Sequence, residues 1–210
     1  LREGQAETQM CLEQSFTTAP VTLFEAPTGF GKTGTALSFA LERLRDGFCD
    51  RILYLTSKST GQNEVASTLG KMIPDACGFR YLCLQNRTER NIGFEDLEHL
   101  SEQELAYRWK SAALNPLDLF SGATISENNL IESAKYAGIP PYEIIRACLP
   151  FAELWLGDFN YVFQPRSNSI FRSVEGFIPA RSLLLVDEAH NLPERVASSL
   201  SARFAASDAV

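Results

Sequence analysis

The residues with the clearest capacity for chemistry lie in a short glycine-rich loop, residues 26–33. Its two glycines allow a tight turn in which successive backbone N–H groups converge on an anion. Lys32 adds a mobile positive charge for the β- and γ-phosphates of a nucleoside triphosphate, and the Thr33 hydroxyl can coordinate Mg²⁺. The predicted ATP-binding residues of this P-loop (Walker A) segment are Pro27, Thr28, Gly29, Phe30, Gly31, Lys32 and Thr33.

A second candidate is the acidic run Asp187-Glu188-Ala189-His190, which follows an apolar stretch. Asp187 can hold the hydration shell of Mg²⁺, and Glu188 can orient or deprotonate the water that attacks the γ-phosphate. Asp and Glu also favour the first turn of any solvated helix, which is the simpler interpretation of this run. The predicted catalytic residues are Lys32, Asp187, Glu188 and His190, with Thr33 and Asp187 as metal ligands.

Both candidates need strands that deliver them to one place. Short apolar runs predict strands at residues 21–25, 52–56, 79–84 and 183–186, and apolar residues at helical spacing predict helices at 33–45 and 63–72. Alternating strands and helices indicate a parallel sheet with crossover helices. Because ligands bind beyond the carboxyl ends of parallel strands, the glycine-rich loop and the acidic run are expected to meet at one edge.

Residues 86–150 differ in character from the rest of the chain. A polar, helix-favouring stretch at 95–110 is followed by predicted helices at 126–136 and 140–154, with Ser126 as N-cap and Pro141 in a first turn. We therefore predict an α/β domain at residues 1–85 and 151–210 that is interrupted by a mainly helical insertion at residues 86–150.

The bulk composition is that of an ordinary globular protein. The formal net charge of −7 argues against a general polyanion binder, although a motor needs only a local groove for nucleic acid. None of the five cysteines lies in a C-x-x-C pair, and no run of 18 apolar residues exists, so we expect a cytoplasmic protein with buried thiols. The chain begins with Leu1 and not with Met, so we expect it to be part of a longer protein.

The pattern A-x-T-G-x-G-K-T followed by D-E-A-H resembles superfamily-two helicases of the DEAH-box kind, and further segments resemble the XPD/DinG type. Residues 2–5 (Arg-Glu-Gly-Gln) are similar to the adenine-reading R-x-x-Q element, in which a glutamine such as Gln5 offers both a donor and an acceptor. Residues 54–60 resemble the segment that contacts the nucleic-acid backbone, which implies contacts from Thr56, Lys58 and Thr60. Residues 158–163 resemble the N-Y-x-Y-L segment that precedes the acidic motif.

This resemblance implies a RecA-like P-loop fold and an ATP-dependent DNA helicase that uses ATP and Mg²⁺, has a role in DNA repair and does not contact a membrane. The expected partners are DNA with a single-stranded segment and a second RecA-like domain, which supplies an arginine to the γ-phosphate. Without that domain, we expect the 210 residues to bind ATP–Mg²⁺ weakly, and neither to hydrolyse it efficiently nor to unwind nucleic acid.

The sequence departs from the resemblance at the iron–sulfur domain that the XPD type carries in this position. One family cysteine follows an arginine by a few residues, but Arg87 is followed by Thr-Glu-Arg-Asn, and the family's C-P-Y triplet reads Pro140-Pro141-Tyr142. Cys148 lies in the later insertion and Cys83 just before it, whereas a cubane cluster needs four thiolates. We therefore predict that the insertion binds no cluster and packs by its side chains alone.

Three further interpretations remain open at this point. The chain can belong to a P-loop translocase or remodeller that does not unwind, to a DEAH RNA helicase, or to an interaction module with a relic nucleotide site. The intact Lys32, Thr33, Asp187 and Glu188 count against the relic. The long insertion and the Gln5 element count against the RNA helicase.

Overall fold

The computed structural model describes residues 4–74, 77–164 and 169–201. Arg2 and Glu3, which open the predicted adenine-reading element, lie outside these ranges. Within the described ranges, four parallel strands form one sheet in the order β2–β3–β1–β4. The strands are β1 (Arg51–Thr56), β2 (Tyr81–Cys83), β3 (Leu154–Asp158) and β4 (Ser182–Val186). The predicted parallel sheet is therefore confirmed.

Helices cover the sheet. The first three in the chain are α1 (Gln5–Thr18), α2 (Lys32–Arg45) and α3 (Ser59–Met72). Helices α2 and α3 pack on β1 and β3 through a core that includes Leu37, Ile52 and Leu69, none of which is measurably exposed. Helix α1 lies on α2, where the Phe16 and Phe39 rings meet edge-on at 5.4 Å between centroids.

The predicted insertion is helical, as expected. It contains α4 (Arg87–Arg90), α5 (Glu102–Ala112), α6 (Glu127–Ala137), α7 (Pro141–Cys148) and the short 3₁₀ turns Glu95–Leu97, Pro116–Leu119 and Leu149–Phe151. These helices share one buried core with Leu53 of β1 and Trp155 of β3. The insertion therefore rests on the opposite side of the sheet from the α2 core, because side chains alternate along a strand. The division of the chain at residues 86 and 150 remains a proposal.

The carboxyl-terminal part of the chain returns to the sheet through short elements. These are α8 (Asn160–Phe163), α9 (Ser169–Arg172), a 3₁₀ turn at Pro179–Arg181, a second at Ala189–Asn191, and α10 (Leu192–Leu200). Arg181, just before β4, is paired with Asp50, just before β1, by two side-chain hydrogen bonds of 2.5 and 2.6 Å. This exposed pair fixes how β4 enters the sheet beside β1.

Two sequence predictions are wrong. Residues 21–25 form no strand; Val21 and Leu23 are 73% and 88% exposed, while Thr22 and Phe24 between them are half-buried. β-branched residues favour an extended chain, but a strand also needs a hydrogen-bonding neighbour, and this segment has none along the described sheet. The helix predicted at 140–154 ends at Cys148, and Leu154 opens β3, a strand that the sequence analysis missed. Pro150 cannot continue the hydrogen bonding of a helix.

Candidate nucleotide site

The glycine-rich loop has the backbone shape that an anion cradle requires. Gly29 and Gly31 have φ values of 80° and 89°, in the left-handed region where a side chain is strained. Helix α2 begins directly after Gly31, which has no side chain with which to cap the first N–H groups of the helix. These N–H groups and the positive end of the helix dipole are therefore directed at the loop. Pro27, Thr28 and Gly29 are exposed, so the cradle is open to solvent.

Two side chains brace this loop from within. Lys32 donates a hydrogen bond of 3.1 Å from Nζ to the carbonyl of Ala26, which places its ammonium across the loop. Gln5, at the start of α1, donates a hydrogen bond of 2.8 Å from Nε2 to the carbonyl of Phe30. A Cβ atom at Gly31 would lie 2.6 Å from the same Nε2, so Gln5 and the glycine fit against each other. The predicted adenine-reading residue therefore contacts the phosphate loop directly.

The acidic run follows β4 at the carboxyl edge of the sheet. The backbone N–H of Asp187 donates to the carbonyl of Leu55 at 2.9 Å, which continues the β1–β4 ladder by one residue. Glu188 then turns into the left-handed region, with φ 51° and ψ 44°, a conformation that is uncommon for a residue with a side chain. His190 lies 3.3 Å from Glu188, measured between Nδ1 and Oε2. Such local strain is often found at functional sites.

Tyr54 of β1 lies near both motifs. Its side chain is 2% exposed, and both Thr33 of the phosphate loop and the Asp187 carboxylate lie close enough to its hydroxyl to affect its pKa. Burial first, and then the negative charge of Asp187, raises the pKa of Tyr54, so the hydroxyl stays protonated at any physiological pH. The loop and the acidic run, which are far apart in the sequence, thus lie around one point.

The electrostatics at Asp187 agree with this placement. Burial is the largest influence and raises the pKa of Asp187 above its ordinary value. The negative charges of Glu188 and Glu64 act in the same direction, while the positive charge of Lys32 lowers it. A partly buried carboxylate among further carboxylates is a position where a divalent cation is favoured. The residues present therefore fit a Mg²⁺-bound triphosphate: a backbone anion cradle, the Thr33 hydroxyl and the Asp187 carboxylate.

The three predicted nucleic-acid contacts lie between the end of β1 and the first turn of α3, and they differ in exposure. Thr56 is 2% exposed and donates from Oγ1 to the carbonyl of Lys58 at 2.9 Å, so its hydroxyl holds the shape of the loop. Lys58 and Thr60 are exposed beside it. Arg195 of α10, which the sequence analysis did not single out, donates to the carbonyl of Ser57 at 3.1 Å.

The segment 158–163 continues the same edge of the sheet. Asp158 is opposite Thr56 in the β1–β3 register and accepts a hydrogen bond of 2.8 Å from the N–H of Asn160. Burial raises the pKa of Asp158 above its ordinary value, although the positive charge of Arg195 partly opposes this. Tyr161 is buried and donates to the carbonyl of Gln85 at 2.7 Å. The tyrosine therefore packs in the core, while Asp158 lies at the end of β3 beside the end of β1.

A comparison with known protein families shows which family the chain belongs to. The DEAD_2 family model matches residues 78–208, which is more than half of the chain. The chain belongs to the DEAD_2 family. The match runs from just before β2 through the insertion, residues 158–163 and the acidic run, whereas the glycine-rich loop and residues 54–60 lie outside it.

A solved structure described as an XPD helicase has the same fold as this DEAD_2 chain. The superposition has a TM-score of 0.64 at 18% sequence identity and covers 92% of this chain and 33% of the other. The DEAD_2 chain thus spans about a third of the length of that helicase. The predicted RecA-like α/β fold and the resemblance to XPD-type helicases are confirmed.

The absence of an iron–sulfur cluster stays a prediction, which rests on a cubane cluster needing four thiolates where residues 86–150 hold only Cys148. Among the described residues, no group of three or more His, Cys, Asp or Glu side chains could hold a metal ion. The Cys148 thiol is buried and donates to the carbonyl of Pro116 at 3.7 Å, while Cys83 lies in β2. Burial raises the pKa of the Cys83 thiol to about 11 and that of Cys148 to about 12, so both stay protonated.

Hydrogen bonds connect the segments where the family's cysteines are expected. Asn91, 2% exposed, accepts a hydrogen bond of 3.1 Å from the N–H of Tyr142 and donates one of 3.3 Å to Glu98. Arg87 lies 5.0 Å from the centre of the Tyr142 ring and donates to Glu143 at 2.7 Å. The first turn of α7 is thus tied to α4 by polar side chains.

Sequence reasoning did not single out two residues near these sites, Tyr54 and Arg195. Tyr54 was part of the quoted segment 54–60, but in an apolar strand a tyrosine is indistinguishable from other core residues. Arg195 lies on the exposed face of a short helix, where isolated arginines are common. In the described part of the DEAD_2 chain, no helix is both long and apolar enough to cross a membrane.

Proposed function

We propose that this chain binds ATP with Mg²⁺ and acts as the first motor domain of an ATP-dependent DNA helicase of the XPD/DinG type. The observation that carries the proposal is the place of Asp187 at the carboxyl edge of the sheet, where the positive charge of Lys32 in the phosphate loop acts on its carboxylate. Two motifs that have separate roles in phosphoryl transfer are thereby held around one point.

Each residue of the site then has one task. The N–H groups of residues 27–33 and the Lys32 ammonium bind the phosphates, and Thr33 and Asp187 hold the metal ion. When bound, Mg²⁺ neutralises the negative charge that the phosphate oxygens carry during transfer. Glu188 orients or deprotonates the attacking water, and His190, 3.3 Å away, holds the Glu188 carboxylate in place.

Strand β1 links the proposed nucleic-acid contacts to the ATP site. Lys58 and Thr60 offer a cation and a hydroxyl to the phosphate backbone at the N-terminus of α3, where N–H groups also favour an anion. Thr56 shapes their loop from the end of β1, two residues after Tyr54 and on the same face of the strand. A shift of β1 on nucleotide binding would therefore move the nucleic-acid loop.

The remaining parts of the proposal follow from the family. A second RecA-like domain supplies the arginine that contacts the γ-phosphate, and closure of the two domains drives stepping along single-stranded DNA. A role in DNA repair and an intracellular location, for a protein whose five cysteines form no disulfide, belong to the same proposal.

The test uses the full-length protein and compares it with Lys32→Ala and Glu188→Gln. We expect ATP hydrolysis that single-stranded DNA stimulates more than single-stranded RNA does, and ATP-dependent displacement of a DNA strand. Lys32→Ala should weaken ATP binding strongly, whereas Glu188→Gln should keep binding and lose hydrolysis. DNA-stimulated hydrolysis without strand displacement would identify a translocase, and stimulation by RNA alone would identify an RNA helicase.

A further inference from the structure

Arg195 connects two parts of the molecule that are far apart in the sequence. It is the fourth residue of α10, and its Nη2 donates a hydrogen bond of 3.1 Å to the carbonyl of Ser57, 138 residues away. Ser57 lies between β1 and α3, directly before the exposed Lys58. The arginine therefore ties α10 to the loop that carries the proposed nucleic-acid contacts.

Helix α10 follows the acidic run without a flexible connection. The carbonyl of Glu188, the residue in the left-handed region, accepts a hydrogen bond of 2.9 Å from the N–H of Asn191. This bond closes the 3₁₀ turn Ala189–Asn191, and α10 begins at the next residue, Leu192. Because the turn and the helix are continuous, a displacement of Glu188 is passed on to α10.

The loop before α3 has a second attachment, which comes from the sheet. Oγ1 of Thr56 donates to the carbonyl of Lys58 at 2.9 Å, and a Cβ atom at Gly61 would lie only 3.1 Å from the Cβ of Thr56. The carbonyls of Ser57 and Lys58 flank the Cα atom of Lys58. One is held by α10 and the other by β1, so the backbone orientation of Lys58 depends on how these two elements lie relative to each other.

We propose that Arg195 is a positioning residue that couples the ATP site to the nucleic-acid loop, by orienting Lys58 according to the position of α10. The inference rests on the proposed function, because it assigns the connection between the two proposed binding sites. When Glu188 shifts on nucleotide binding, α10 and Arg195 carry the Ser57 carbonyl with them. An arginine suits this task, since its guanidinium stays charged and holds its N–H donors in a fixed plane.

The experiment measures the coupling between the two ligands in the full-length protein. The affinity for a labelled single-stranded oligothymidylate is determined by fluorescence anisotropy, with and without the non-hydrolysable β,γ-imido analogue of ATP and Mg²⁺. In the wild type, we expect the nucleotide to change this affinity by about 10-fold, within the range usual for coupled sites. In Arg195→Ala, the two affinities should differ by less than about twofold, because the nucleotide no longer acts on Lys58.

Arg45→Ala is the matched control. It also removes an exposed arginine, but at the far end of α2 from the phosphate loop, so the ratio of the two affinities should stay at the wild-type value. Equal weakening of DNA binding with and without nucleotide in Arg195→Ala would overturn the inference, because it indicates a direct phosphate contact or a general charge effect. A wild-type ratio of one would also overturn it. Thermal unfolding shows that both variants are folded.

Two further variants separate this outcome from a failure of the proposed function. If Lys32→Ala binds the nucleotide as tightly as the wild type, the ATP site is assigned wrongly. If Lys58→Ala binds DNA as tightly as the wild type, the nucleic-acid loop is assigned wrongly. If both lose affinity while Arg195→Ala keeps the wild-type ratio, the proposed function stands and only the role of Arg195 fails.

Discussion

The side-chain amide of Gln5 donates a 2.8 Å hydrogen bond to the carbonyl of Phe30, in the middle of the phosphate loop. A residue predicted to read adenine is thus also a brace for the cradle that holds the phosphates. The two tasks are compatible, because an amide has a carbonyl oxygen and two N–H donors.

Replacing Gln5 by alanine tests both tasks together. We expect ATP affinity to fall by about 10-fold, which corresponds to the loss of one or two hydrogen bonds. If Gln5 reads the base, GTP affinity should fall less, and the preference for ATP over GTP should shrink. Equal losses of ATP and GTP affinity, measured by calorimetry, would show that Gln5 acts only through the phosphate loop. That result would contradict the adenine assignment.

Lys58 is predicted to contact the nucleic-acid backbone. Lys58→Ala should weaken binding of single-stranded DNA of any sequence and lower the slope of log affinity against log salt by about one. ATP affinity without DNA should be unchanged. Lys71→Ala, at the other end of α3, is the matched control, because it removes the same charge from an exposed site away from the loop. Equal effects of the two variants on DNA binding would show that the net charge of the protein, and not a contact from Lys58, accounts for the change.

Asp158 gives the protein a specific pH dependence. Burial raises the pKa of this carboxyl above its ordinary value of 3.8, so the folded state disfavours the ionised form. Stability from this group is therefore complete below 3.8 and is lost as the pH rises through the raised pKa. Asp158→Asn should accordingly raise the melting temperature at neutral pH, and the gain should shrink as the pH falls toward 4.

The carboxyl of Asp50 should affect stability with the opposite pH dependence, so it serves as the control. Its hydrogen bond to Arg181 lowers the pKa of Asp50 below 3.8, so the stability from this group is present above 3.8 and is lost only below it. Asp50→Asn should then lower the melting temperature at neutral pH. A melting temperature for Asp158→Asn that stays at or below the wild type at pH 7 would contradict the account of Asp158.

Asn91 is expected to stabilise the insertion without metal. Asn91→Ala leaves the buried N–H of Tyr142 unpaired, which costs about 1–3 kcal/mol and lowers the melting temperature by about 3–9 °C. Asn63→Ala, in an exposed position on α3, should have little effect. Chelators should leave the melting temperature of the wild type unchanged, and the purified protein should contain no stoichiometric iron or sulfide. Bound iron, or unfolding on chelation, would contradict this view of the insertion.

The sequence indicated the candidate site residues more readily than the geometry around them. The glycine loop and the acidic run stand out because few residue types can cradle a triphosphate or hold Mg²⁺, and their roles stay a prediction. Strand β3 was missed because the residues after Pro150 continue the apolar pattern of α7. An apolar pattern alone does not separate a short strand from a helix. Residues 21–25 were assigned to a strand because local propensity contains no information about a hydrogen-bonding neighbour.

Contacts between residues far apart in the chain also could not be predicted from the sequence. Thr56 was predicted to contact nucleic acid, yet it is buried and shapes the loop for Lys58, since exposure depends on how α3 packs over the end of β1. The role of Asn91 depends on Tyr142, a residue far along the chain, and no local pattern could reveal that pair. Tyr54 likewise comes near Thr33 and Asp187 only when α2 and β4 pack against β1.

The central claim is that Lys32 and Asp187 act on the same metal-bound triphosphate. A double-mutant cycle on ATP–Mg²⁺ affinity, with Lys32→Ala, Asp187→Asn and the double variant of the full-length protein, tests this most directly. We predict that each single change weakens binding. The loss of binding free energy in the double variant should be smaller than the sum of the two single losses. Free-energy changes that add fully, or wild-type affinity in Asp187→Asn, would contradict a shared site.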